Sequence, residues 1–181
     1  MGDHIVFLVT LLLPLVLADA TSRHPVRPQA AIRNTLMMVT AFTLAHSITL
    51  SLAVLSVVTL PAKWVEVGIA LSVVIASLNN LSPAFPHARW LFPFGFGLIH
   101  GFGFANALVD LGLPAGTLTI ALLGFNLGVE TGQVVIVLAL VPALVVFART
   151  RLYRPLVLRG GSAAIAVISA VCCVERLGVT T

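Results

Sequence analysis

Three ionisable side chains, His46, His100 and Glu130, stand deep inside apolar runs of the chain. If those runs are helices rising about 1.5 Å per residue, each group lies roughly 15 to 20 Å into a bilayer. An ionisable group at that depth is costly in lipid, so it faces a bundle interior or a water-filled path. Three of them at one level on three helices are expected to converge on a single site at the midplane. Two imidazoles and a carboxylate suit a borderline divalent ion such as nickel, cobalt or zinc, because imidazole nitrogen binds these metals and carboxylate balances charge. A proton relay through His and Glu is the nearest competing chemistry. No enzyme is expected, because there is neither a His-Glu-x-x-His motif nor a serine in a recognisable nucleophile turn.

The surroundings of each group sharpen this reading. His100 lies in residues 90–113, WLFPFGFGLIHGFGFANALVDLGL, among Gly95, Gly97, Gly101 and Gly103, small residues that let a neighbouring backbone approach. Asn106 and Asp110 follow it one turn apart. His46, in FTLAHSITL, has Thr43 and Thr49 one turn to either side. In GFNLGVETGQ, Asn126, Glu130 and Gln133 fall within about 60° of one another on a helix, while Gly124, Gly128 and Gly132 form the opposite face. One side of that helix can receive another helix, and the other presents a carboxylate flanked by two amides. Glu66, Ala70, Val73, Ser77 and Asn80 give a further helix a narrow polar seam. Asp3 and His4 lie at the outer end of the first run, with Glu66 towards the same side, so an outer vestibule is expected to lead to the central site.

The elements that carry these groups follow from composition. Of 181 residues, 59% are hydrophobic and 9% charged, too few polar side chains to cover a soluble surface. The chain is read as an all-α, polytopic membrane protein, a six-helix transmembrane bundle forming a single domain over residues 1–181. Its spans lie near 4–18, 35–60, 64–81, 90–113, 117–147 and 158–175, broken by polar and proline-bearing linkers. Trp64 and Trp90 each open a run, where aromatic belts lie. Cys172 and Cys173 are adjacent, lack metal or redox spacing and read as packing residues.

Eight of the ten basic residues, Arg23, Arg27, Arg33, Arg89, Arg149, Arg151, Arg154 and Arg159, fall in loops on one side of such a bundle. Only Lys63 and Arg176 fall on the other. This makes the arginine side cytoplasmic and both termini non-cytoplasmic. The net charge of +4 is therefore a topology signal, and no basic patch remains for nucleic acid. Ala18-Asp19-Ala20 after the first run resembles a signal-peptide cleavage site, but no basic residue precedes the run. Cleavage there would also leave the new N-terminus on the cytoplasmic side. The first run is accordingly read as a transmembrane helix.

The pieces GDHIVFLVTLLLP, TAFTLAHSITL, VEVGIALSVVIASLNN, FGFGLIHGFGFANAL and GFNLGVETGQ, in this order over five of the six spans, resemble the HupE/UreJ family, particularly its second branch. The resemblance implies a multi-pass permease of the cell inner membrane, carrying nickel or cobalt for hydrogenase or urease maturation. No permanently bound cofactor is implied, and homo-oligomers or metalloenzyme maturation proteins are possible partners besides the lipid bilayer. By motif match, Asp3 and His4 correspond to the end of the family's His-x5-Asp-His element, His100 to its histidine and Glu130 to its glutamate. The first His of that element would precede Met1, so the chain is expected to be truncated or to start late. The runner-up reading is a non-transporting accessory or assembly protein whose polar residues are interhelical glue.

Overall fold

Backbone N–H and C=O groups find no water inside a bilayer, so an apolar chain satisfies them within helices. The computed structural model describes residues 2–17, 28–82, 90–105 and 115–178. These form α1 (Gly2–Leu15), α2 (Pro28–Val54), α3 (Ala62–Leu81), α4 (Leu91–Phe102), α5 (Ala115–Phe147), a π-helical segment (Tyr153–Gly160) and α6 (Gly161–Leu177), with no strand among the described residues. Among the described residues, four stretches are long and apolar enough to cross a membrane: Gln29–Val54, Ala62–Leu81, Thr117–Phe147 and Tyr153–Leu177. The chain is a helical, multi-pass membrane protein. α1 and α4 are apolar but shorter, at 14 and 12 residues. The linker residues 18–27 and 83–89, together with 106–114 and hence Asn106 and Asp110, lie outside the described residues.

Helix ends depart from the apolar runs for local reasons. α2 begins at Pro28 rather than near residue 35, because proline suits the first helical position, where its missing N–H is no loss. Arg33 thereby becomes a helical residue. α2 ends at Val54 although apolar residues continue to Leu60. Ser56 turns left-handed, with φ 57°, and the Ser56 and Val57 N–H groups return to the Ala53 and Leu52 carbonyls at 3.0 and 2.9 Å. That pairing is a Schellman closure, which satisfies carbonyls the helix end would otherwise orphan. The last span also starts earlier than near residue 158: Tyr153–Gly160 is helical, since Tyr153 and Leu158 are buried and draw it into the bundle.

α4 packs chiefly on α2, α3 on α6 and α1, and α5 on α2. The α2–α4 contact is close because Gly97 and Gly101 leave room for it: a Cβ on Gly97 would strike the Phe42 carbonyl, and one on Gly101 the Thr49 hydroxyl and the His46 carbonyl. The starts of α1, α3 and α5 and the ends of α2, α4 and α6 share one end of the molecule. His4 meets His100 there, Phe104 meets Phe125, and the Arg176 guanidinium donates to the Glu66 carbonyl at 2.9 Å. Further along α1, a core of Leu8, Leu12, Leu13 and Val16 packs with Val39, Val137, Val141 and Tyr153.

Candidate functional site

His4 stands in the first turn of α1, with its ring centroid 4.6 Å from that of His100 and 5.7 Å from that of His46. α2 and α4 bring the latter two inward, and both are fully buried. Phe104 lies 4.7 Å from the His4 ring and Phe7 5.0 Å from His100, while Phe42 and Phe125 stack on His46 at 5.9 and 6.3 Å. Four phenylalanines thus wall three imidazoles. The expected vestibule and central site merge, because the short α1 delivers His4 directly to the other two rings. The cluster also sits towards one end of the bundle: His100 is in the last turn of α4, and His46 is about 12 Å of helix from the end of α2.

Hydrogen bonding fixes the state of one ring. The Ser72 hydroxyl lies 2.6 Å from the Ile69 carbonyl and 2.8 Å from His100 Nε2. A hydroxyl has a single proton to give. It goes to the carbonyl, which cannot donate, so Nε2–H of His100 donates to Ser72 and Nδ1 keeps a free lone pair. Among the described residues, neither Nδ1 of His100 nor either ring nitrogen of His46 has a hydrogen-bond partner. Buried polar atoms are almost always paired, and lone-pair nitrogen is the form in which imidazole binds a metal. Among the described residues, however, no group of three or more His, Cys, Asp and Glu side chains is close enough together to hold an ion as it stands. His4 meets each of the other two rings edge to face, with interplanar angles of 82° and 78°.

The remaining expected residues separate. On α5 the inward stripe is Leu122, Asn126, Glu130, Gln133, Val137, Val141 and Val145, all buried or half-buried. The polar face therefore does turn towards α2. Asn126 approaches His46, and its buried Oδ1 has no hydrogen-bond partner among the described residues. Gln133 is committed elsewhere, accepting a 3.0 Å bond from the Thr43 hydroxyl. Glu130 is half-buried between those two levels. Gly124, Gly128 and Gly132 have nothing within 4 Å of a Cβ built on them, so no helix among the described residues packs on that face. On α3, Asn80 donates to the Thr10 carbonyl at 2.8 Å and the Ser162 hydroxyl at 3.2 Å, tying α1, α3 and α6 together. Glu66 is exposed near the start of α3. Asp3 belongs to the first turn of α1, and its side chain lies outside the described set.

Ser72 and the phenylalanine wall are the participants that sequence reasoning missed. Ser72 is about 100° round the helix from Val73, outside the narrow seam read from the sequence. Its signal was a hydroxyl one turn from Ile69 on a helix whose buried face proves wider than the seam. Residues 2–176 match the protein family described as HupE / UreJ protein. No curated protein and no solved structure matches the chain.

Proposed function

Because the chain belongs to the HupE/UreJ family, we propose that it is a permease of the cell inner membrane for a divalent transition-metal cation, nickel or cobalt foremost. The observation that carries this reading is the meeting of His4, His46 and His100 from three helices, with buried nitrogens of His46 and His100 that no described residue bonds. Imidazole binds such ions at about 2.0–2.1 Å, and rotation of the rings from their edge-to-face packing turns nitrogens towards a common ion. Glu130 supplies negative charge from α5, and Asn126 an amide oxygen. The cation is cargo, and the protein needs no resident cofactor.

The accessory reading draws support from Gln133 and Asn80, whose amides join helices to one another. Uptake of nickel, cobalt, zinc and manganese into proteoliposomes separates the two. The permease reading expects saturable nickel or cobalt uptake that His100→Gln abolishes while the variant still inserts and purifies. Absence of uptake of all four ions by the wild-type protein, with loss of a bound maturation partner in the variant, favours the accessory role.

A further inference from the structure

A hydroxyl inside an apolar helix has a ready acceptor in the carbonyl three or four residues back. Thr10, Ser47, Thr49 and Ser72 all take it, at 2.6 to 3.2 Å, and Thr43 instead donates across to Gln133 at 3.0 Å. Thr35 does neither. It is 1% exposed, and among the described residues its Oγ1 has no hydrogen-bond partner. It lines a small cavity between α1, α2 and α5, whose walls include Leu8, Leu12, Met38, Phe42 and Gln133. We propose that this cavity binds a water molecule between the Thr35 hydroxyl and the Gln133 amide. On the permease reading, on which this step rests, that water is a polar station for the cation between the rings and the arginine end.

Room and partners both suit a water. About 10 Å³ of the cavity is open to the centre of a water-sized sphere, about the least that holds one molecule. Dry cavities are lined by hydrocarbon alone, whereas a buried water takes about two to four polar partners. The Thr35 hydroxyl both donates and accepts. The Gln133 amide nitrogen carries two N–H groups, while its oxygen accepts from Thr43. A buried hydroxyl left unbonded is destabilising, so the water satisfies a group that the helix itself does not. The position gives it a use. Thr35 lies 11 residues before His46 on α2, about 16 Å along the helix. Gln133 lies seven residues after Asn126 on α5, about 10 Å along. Beyond them Val137, Val141 and Val145 belong to the apolar core. A cation that leaves the rings exchanges imidazole for other ligands, and the hydroxyl, amide and water oxygens offer them within an otherwise apolar layer.

The test is radiolytic footprinting of the whole detergent-purified chain. A brief X-ray exposure makes hydroxyl radicals from water where it stands, and tandem mass spectrometry reads the oxidation at each residue. Met37 and Met38 form an internal comparison: Met37 is 60% exposed, and Met38, 9% exposed, lines the cavity. Thioethers oxidise readily, so Met38 should be oxidised in spite of its burial. Thr35→Val replaces the hydroxyl by a methyl group of similar size. Met38 oxidation should then fall about fivefold, the usual worth of one hydrogen bond, with Met37 unchanged. A Met38 that stays unoxidised in the wild-type protein, or is oxidised equally in both, overturns the water. Thermal unfolding adds a second measurement. In a dry cavity Thr35→Val removes an unbonded hydroxyl and raises Tm, so a raised Tm also overturns the water, whereas a lowered or unchanged one is expected. In proteoliposomes Thr35→Val should lower the maximal nickel or cobalt uptake rate and leave the half-saturating concentration unchanged, because the rings still capture the ion. An unchanged maximal rate removes the water from the path. Oxidation at Met38 without any uptake by the wild-type protein counts against the permease reading, and uptake with an unoxidised Met38 counts against the water alone.

Discussion

Removing the Ser72 hydroxyl leaves Nε2–H of His100 buried without an acceptor, at a cost of about 1–3 kcal/mol in stability. It also frees the ring to change tautomer or turn over, so Ser72→Ala should weaken metal binding by roughly 10- to 100-fold, the usual effect of losing a group that orients a ligand. Calorimetric titration with nickel or cobalt measures this, and unchanged affinity would detach Ser72 from the site. Glu130→Gln keeps the shape of the side chain and removes its charge. Lost uptake at matched protein level is the expected outcome, whereas a purely structural glutamate predicts near wild-type transport. If the proposed permease binds its cation through these nitrogens and oxygens, protons compete for them, so uptake should fall as pH is lowered. The histidines were legible because an ionisable group inside an apolar run has few uses. Ser72 was not, because a serine in such a run ordinarily bonds back to its own helix, as Ser72 does to Ile69.

Among the helices, the two sets of glycines resemble each other in sequence and differ in what surrounds them. Gly101 lies against the α2 backbone, so Gly101→Ala must push α2 and α4 apart, at about 1–3 kcal/mol or more. The two helices carry His46 and His100, so metal binding should fall with stability. Gly128 faces open space, and Gly128→Ala should stay within about 1 kcal/mol of wild type. Thermal unfolding in detergent compares the pair, and equal losses would contradict the packing. The amphipathic division of α5 was legible from the spacing of Asn126, Glu130 and Gln133. The occupant of its glycine face was not, because sequence spacing states which residues share a face and is silent on what meets it. Helix ends were read poorly for a related reason: apolarity marks what lipid tolerates, whereas α2 stops at a hydrogen-bonded turn through Ser56.

For the whole molecule, the distribution of arginines sets orientation. A single cysteine placed at Thr150, between Arg149 and Arg151, should resist a membrane-impermeant thiol reagent applied from outside intact cells, and one at Ala62 should react. The reverse pattern would invert the topology. The helical membrane class was legible from composition, whereas the meeting of His4 with His46 and His100 was not, because the sequence reading set His4 apart in an outer vestibule. The depth of their site was not legible either, because α1 and α4 are much shorter than α5, at 14, 12 and 33 residues. This asymmetry has an electrical consequence. The rings sit near one end, while phenylalanine and leucine layers fill the bundle beyond them, so most of the membrane voltage falls across the apolar layers. A divalent cation crossing the full potential gains about 4.6 kcal/mol per 100 mV, at 2.3 for each charge, but reaching the rings from the near side uses little of it. An inside-negative potential imposed on proteoliposomes should therefore raise the maximal uptake rate and leave the half-saturating concentration almost unchanged.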